Sequence, residues 1–194
     1  MNAYKNDPKL KEMLLEEVEN HRRQDQIIKG TYGKEENGKW KGCAIGCAIH
    51  SLNVRLGKDF NTAQHSILEE QLDIPLVLSF LADIIFEDLP LEKALQWPGK
   101  FFEAIPVGAD LSLATARFMV WQFEDEKHGL KNIKEVNSDA ELMNVCGDLV
   151  ALYKRIITGG SVSDAEWEKI EARARARAWA ETGAWARAET GAEA

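Results

Sequence analysis

The chain has 194 residues, 45% of them hydrophobic and 29% charged, enough to bury a core of ordinary size in one domain with an appended element. Its 24 basic and 32 acidic residues give a net charge of -8, which repels a phosphate backbone, so we do not expect general nucleic-acid binding. No apolar run approaches the roughly 18 residues of a membrane span, so we expect no membrane partner and a cytoplasmic location. Three cysteines are an odd number, which favours reduced thiols.

Helical periodicity runs through the first part of the chain, with one break. Three helices are predicted before the first strongly apolar segment, from Pro8 to Gly30, from Gly42 to Gly57 and from Ala63 to Leu72, the last capped by Asn61 or Thr62. The break spans residues 31–41 and includes Asn37-Gly38, a turn signal that predicts a short ribbon or loop.

A strongly apolar helix is predicted after Pro75. Its residues 76–86 are apolar on nearly every side, which predicts a position at the centre of the core. Trp97-Pro98 and Trp121 are also predicted to be core residues. Later helices are expected after Asp110 or Ser112, ending at His128-Gly129, and after Ser138, with Glu141 completing a capping box. We therefore predict an all-α, bundle-like domain.

The segment 161–194 differs from residues 1–160, the predicted globular domain. It opens with a capping box, Ser163 to Glu166, and then becomes rich in alanine and arginine. Two interpretations stay open, a solvated tail and a helix that makes the protein a homo-oligomer. In the second, Trp167, Trp179 and Trp185 would anchor the helix to a neighbouring subunit.

The candidate functional site is the start of the second helix. Its predicted ligand-binding residues are Trp40, Lys41, Gly42, Cys43, Gly46, Cys47 and His50. Helical spacing puts Cys43, Cys47 and His50 on one face. Backbone amides at a helix start can bind an anion, Trp40 could stack on a flat ring, and lysines at 34, 39 and 41 could offset the net acidity.

The same segment has three other interpretations. Cys43 could be a nucleophile activated by the helix start, but His50 lies about 10 Å along the helix, which leaves only His65, His128 and Asp110 as partners. A metal site lacks a second ligand pair unless His65 or Cys146 supplies it, so we expect no metal and no cofactor. The third is a seam of small residues against which another helix packs closely.

Several motifs together resemble a family of small proteins encoded by tailed phages and prophages. They are Gly42-Cys43-x-x-Gly46-Cys47, the segment from Ile74-Pro75 to Leu89-Pro90, the segment from Trp97-Pro98 through Phe101 to Gly108-x-Asp110-Leu111-Ser112, and the Ala/Arg/Trp-rich tail. The family carries no assigned activity. The resemblance implies a phage accessory protein in the host cytoplasm that counters a host defence.

Three functional hypotheses follow from the site and this resemblance. The first is a non-enzymatic protein that sequesters a small anionic ligand, such as a nucleotide immune signal, at the start of the second helix. The second is an inhibitor that binds a host defence protein directly. The third is a hydrolase that uses Cys43. The first does not require a catalytic base, which the sequence does not identify, and we therefore expect no enzymatic activity.

Overall fold

A computed structural model of the chain describes the backbone of residues 2–191 and the side chains of residues 2–178. It is predominantly helical and confirms the all-α prediction. The α-helices are α1 Pro8–Arg23, α2 Ala44–Leu56, α3 Ser66–Leu72, α4 Leu76–Asp88, α5 Leu91–Ala94, α6 Trp97–Ala104, α7 Ala114–Glu124, α8 Lys134–Asn137, α9 Ala140–Ile157 and α10 Asp164–Gly191. The chain divides into two compact units, Met1–Ser112 and Leu113–Ala194.

The predicted ribbon is a β-hairpin. Strands β1 (Lys34–Glu36) and β2 (Lys39–Lys41) pair antiparallel, with Glu35 opposite Trp40. The two turn residues both have positive φ, 53° at Asn37 and 72° at Gly38. A two-residue turn of that kind matches the twist of paired strands and favours Asn-Gly, which is why the sequence signal was reliable here.

The first helix ends earlier than predicted. Pro8 occupies its first turn as expected, but α1 stops at Arg23 instead of continuing to Gly30. The apolar Ile27 leaves the helical pattern because the strand-like segment around it pairs with Gly42, whose amide donates to the Gln26 carbonyl and whose carbonyl accepts from the Ile28 amide. This pairing brings the end of α1 to the start of α2.

The core of the first unit is assembled from several helices. Its fully buried large side chains come mainly from α1, α2, α3 and α6, and Tyr4 joins them from a 3-10 turn before α1. The Tyr4 hydroxyl donates to the Phe102 carbonyl at 2.6 Å. Trp97 packs against this core and donates from Nε1 to the Ala82 carbonyl, while Pro98 is fully buried, so both are core residues as predicted.

Helix α4 is not the all-round buried helix that its sequence predicts. Its inward face carries the polar residues Ser79 and Asp83, whereas Val77, Phe80 and Ile84 are 52%, 47% and 60% exposed. The prediction was wrong because apolarity all round a helix does not indicate which face meets the core. Here the buried residues of α4 are Ser79, Ala82, Asp83 and Phe86, and the helix packs against α2 and α3, with Asp83 bonded to His65.

The second unit contains α7 to α10, and the ends and caps of these helices differ from the predicted ones. Helix α7 ends at Glu124, before His128, because Asp125 accepts hydrogen bonds from the amides of Lys127 and His128 in a turn. Asp139, not Ser138, caps α9 by accepting from the Leu142 amide at 2.9 Å. Trp121, predicted to be in the core, is 47% exposed.

The Ala/Arg-rich segment forms helix α10. The predicted capping box is present, since the Ser163 amide and hydroxyl both bond to Glu166 at 2.9 Å. Trp167 lies against Tyr153 of α9, and Arg173 forms ion pairs with α9 carboxylates. The side chains of Trp179 and Trp185, predicted as subunit anchors, lie outside the described residues.

Candidate functional site

The start of α2 is closed by hydrogen bonds from within the chain. Cys43 is its N-cap, and its sulfur accepts from the Gly46 amide at 3.4 Å. The Cys43 amide donates to the Thr31 carbonyl at 2.7 Å, and the Gly42 amide donates to Gln26. The thiol of Cys43 therefore lies where an anion bound to this helix start would lie.

The backbone of loop 31–33 covers the same helix start. A Cβ atom built on Gly46 would lie 1.8 Å from the Tyr32 carbonyl oxygen, and one on Gly42 would lie 2.8 Å from it. Both glycines are therefore needed for close approach, as the seam hypothesis proposed, but the neighbour is a loop and not another helix. Gly42, Cys43, Gly46 and Cys47 are all buried.

The two cysteines of the site are held as neutral thiols. Burial, with a smaller contribution from the Asp83 carboxylate, raises the pKa of Cys43 to about 12. Burial and the nearby Cys43 also raise the pKa of Cys47, whose thiol donates to the Gly42 carbonyl at 3.4 Å. A helix start favours a thiolate, but here desolvation outweighs that effect.

Trp40 and His50 are brought together at the surface side of the site. Their rings stack 4.1 Å apart with an interplanar angle of 6°, so the face of Trp40 that could bind a flat ligand is occupied by His50. Lys41 is half-buried and pairs with Glu36 at 2.9 Å, and Lys34 reaches the same carboxylate at 3.5 Å. Glu36 thus offsets part of the predicted positive charge of the ribbon.

His21 joins this cluster and was missed by sequence reasoning. Its ring lies 5.6 Å from both Trp40 and His50, and its nitrogens bond to Gln26 at 2.7 Å and to Ser51 at 3.1 Å. Burial lowers the pKa of both histidines. The signal that could have found His21 is its position on the apolar stripe of α1, in line with Leu14 and Val18.

A second cluster of polar residues lies on the other side of Cys43. Asp83 on α4 is buried, and its Oδ2 lies 3.3 Å from Nε2 of His65, which precedes α3. Asp83 also raises the pKa of both the Tyr32 phenol and the Cys43 thiol, although burial is the larger cause for each. Asp83 therefore lies close to both Cys43 and His65, as a Cys43-dependent hydrolase would require. Both His65 nitrogens have other partners, however, with Nε2 at Asp83 and Nδ1 at the Ala63 carbonyl at 3.3 Å, and Cys43 is 1% exposed.

The other sequence-predicted partners of Cys43 lie elsewhere in the chain. Asp110 caps the turn at Ser112, while His128 and Cys146 belong to the second unit. Among residues 2–178, no group of three potential ligands has the geometry to hold a metal ion. No helix within the described part of the chain is long and apolar enough to cross a membrane.

The exposed side of α4 is the third feature of this region. We define the α4 outer face as Val77, Phe80 and Ile84, which recur at intervals of three and four residues along one side of the helix. The Phe80 ring stacks on His65 at 4.3 Å, and the edge of Tyr32 meets the same imidazole at 5.3 Å. The outer face is thus continuous with the buried cluster beneath it.

Comparisons with protein-family models, with curated proteins and with solved structures find no match to this chain. Its function must therefore be argued from the arrangement of its own residues.

Proposed function

We propose that this chain is a non-enzymatic binding protein that contacts a partner protein through the α4 outer face. The phage counter-defence role that the sequence resemblance implies makes a host defence protein the expected partner. The observation that supports the proposal is the orientation of α4, which exposes Val77, Phe80 and Ile84 while burying Ser79 and Asp83. Such an arrangement exposes apolar area to water and has a compensating use if a partner covers it.

The spacing of the α4 outer face matches a known mode of recognition. Helices that bind in an apolar groove use anchors at positions i, i+3, i+4 and i+7, and Val77, Phe80 and Ile84 occupy the first, second and last of these. Leu81 supplies the third position, i+4, and is half-buried. An aromatic anchor near the centre is typical of residues that dominate binding energy.

Charge specifies the partner's chemistry. Helix α4 has no basic residue, and Glu87 and Asp88 lie in its last turn, where the helix dipole is also negative. The Glu87 carboxylate accepts from the Gly30 amide, and Asp88 is exposed. The Lys29 ammonium of this chain already bonds to the Glu87 and Leu89 carbonyls at that end, so the exposed Asp88 is the acidic group presented to a partner. We therefore expect a groove with an apolar floor and a basic residue opposite Asp88.

The other two hypotheses receive less support from the geometry. An anion at the start of α2 would have to displace the Cys43 thiol and the backbone of loop 31–33, which already occupy that position. Hydrolysis requires an exposed, ionisable thiol, and Cys43 is buried with its pKa raised to about 12.

The test compares Phe80→Glu and Ile84→Glu with a matched control, Val54→Glu, which changes a residue on α2 that is 64% exposed. Each variant is used to capture proteins from host lysate, and the captured protein is then purified and titrated against each variant. We expect wild type and Val54→Glu to bind alike and Phe80→Glu to weaken binding by about 30-fold or more, the size of a hot-spot loss.

Two results would contradict this proposal. One is a purified partner that binds all three variants equally, which would move the interface away from α4. The other is a wild-type dimer in light scattering that Phe80→Glu converts to a monomer, which would make a second copy the occupant. A nucleotide that raises the melting temperature of wild type, but not of a Lys34, Lys39 and Lys41 triple alanine variant, would restore the sequestration hypothesis.

A further inference from the structure

The second unit contains an apolar cavity of about 270 Å³ between its helices. It is lined by residues of α7, α8, α9 and the short 3-10 turn Leu130–Asn132. This cavity is independent of the α4 outer face, since all of its lining residues belong to Leu113–Ala194.

The walls of the cavity are apolar and its charges are few. Phe123, Val136, Met143 and Val150 provide the apolar surface, and Val150 is buried. Gly147 faces open space, because a Cβ atom built on it meets no atom within 4 Å. Apolar walls of this kind favour an apolar occupant, while the charged side chains lie at the polar edge of the cavity.

Two lysines and one glutamate line the same cavity. Lys154 pairs with Glu124 at 2.6 Å, and Lys131 forms no ion pair among the residues whose side chains are described. The charged side chains that line the cavity therefore sum to +1, in a protein whose net charge is -8. A single excess ammonium beside an apolar wall complements a ligand with one anionic group.

We propose that this cavity binds a single-chain aliphatic carboxylate, with the chain against Phe123, Met143 and Val150 and the carboxylate at Lys131. An apolar cavity of about 150 Å³ accommodates benzene, so this volume accommodates about eleven non-hydrogen atoms. Decanoate matches that size, with its chain in the cavity and its head group at the mouth. The same chemistry occurs in a free fatty acid and in a membrane lipid, and the cavity volume suits the free acid.

The rate at which Cys146 is modified reports whether the cavity is occupied. It lines the cavity and is half-buried, whereas Cys43 and Cys47 are almost fully buried in the other unit. Iodoacetamide should therefore modify Cys146 selectively in the folded full-length chain. Burial raises the pKa of Cys146, so the reaction is followed at pH 8.5, where more thiolate is present.

The experiment measures the rate of Cys146 modification by intact mass and the affinity of decanoate by calorimetry. We expect saturating decanoate to slow modification at least tenfold, and decylamine to have no such effect because its charge opposes Lys131. Lys131→Gln should weaken decanoate binding about fivefold to tenfold, while the control Lys134→Gln on α8, outside the cavity lining, should not. Gly147→Leu should fill the cavity and abolish the calorimetric signal.

Any of three outcomes would overturn the proposal. Decanoate could fail to protect Cys146, it could bind wild type and Gly147→Leu equally, or Lys131→Gln could bind as tightly as wild type. A last measurement replaces decanoate with vesicles of phosphatidylglycerol. Protection of Cys146 by vesicles without protection by decanoate would assign the cavity to a membrane lipid and not to a free acid.

Discussion

Gly46 illustrates how one missing side chain determines the local structure around Cys43. The carbonyl of Tyr32 lies so close to the Gly46 Cα that no other residue type fits without moving the backbone of loop 31–33. The Thr31 carbonyl of that loop also accepts a hydrogen bond from the Cys43 amide. Gly46 is therefore required by a contact between two backbones and not by an unusual φ angle.

We predict that Gly46→Ala costs about 3 kcal/mol or more in unfolding free energy, because the new Cβ would overlap a backbone atom that cannot rotate away. Gly99→Ala on α6 is the matched control. It lies in a helix of the same unit, its Cβ would meet nothing within 4 Å, and it should gain about 0.5–1 kcal/mol. Urea unfolding of both variants tests this difference, and equal stabilities would contradict the close approach.

Histidine protonation should make the stability depend on pH. Burial lowers the pKa of His21 and His50 in the folded state, so the unfolded chain takes up protons more readily. The unfolded pKa is about 6.5, so this stabilisation is complete above that pH and is lost as the pH falls below it. We expect the melting temperature to fall between pH 7.5 and pH 5. His50→Phe, which keeps the ring on Trp40, should reduce the dependence, and an unchanged profile would contradict this origin.

At the scale of secondary-structure elements, α4 is the helix whose sequence and environment disagree most. The helix buries a hydroxyl and a carboxylate and exposes three large apolar side chains. The Ser79 hydroxyl has no hydrogen-bond partner among the described residues, whereas Ser51 on α2 donates to the Cys47 carbonyl at 2.9 Å and bonds to His21. Of these two buried serines, Ser51 therefore stabilises the fold, whereas burying the Ser79 hydroxyl destabilises it.

We predict that Ser79→Ala leaves the unfolding free energy unchanged or raises it by up to about 1 kcal/mol, since it removes a buried hydroxyl that lacks a partner. Ser51→Ala should lower it by about 1–2 kcal/mol, because His21 loses its partner. Thermal unfolding of the two variants side by side tests this contrast. If Ser79→Ala lowered the unfolding free energy as much as Ser51→Ala, Ser79 would have a hydrogen-bond partner.

At the scale of the whole chain, the two units differ in how much apolar surface each one buries. The large core cluster is drawn from residues 3–105 of the first unit. Among the side chains described in the second unit, the buried apolar ones are Ala116, Val145 and Val150. Stability follows buried apolar area, so the second unit should open more readily.

We therefore predict that a fragment of residues 1–112 folds alone and melts within about 5 °C of the later of two transitions in the full chain, a shift that corresponds to about 1 kcal/mol. Hydrogen exchange should show faster exchange throughout α7 to α9 than in α1 to α3. A single cooperative transition, or an unfolded fragment, would show that the first unit depends on residues after 112.

The sequence alone was sufficient for the features that local physics controls. Pro8, Asn37-Gly38, Gly57 and the Ser163 to Glu166 capping box each set a backbone geometry within a few residues of themselves, and each appears where its pattern predicts. The gathering of small residues at the start of α2 also indicated a close approach there.

Tertiary structure decided the rest, because it depends on contacts between residues distant in the chain. Cys43 lies near Tyr32 and Asp83, and Asp83 bonds to His65, so residues from separate segments that no spacing rule connects meet here. The orientation of α4 depends on whether Asp83 finds a partner inside, since a buried carboxylate is tolerated only when it is hydrogen-bonded. His65 supplies a bond to Oδ2, while Oδ1 has no hydrogen-bond partner among the described residues. Ala82 and Phe86, each 1% exposed, pack on the same inward face, and Val77, Phe80 and Ile84 consequently face outward.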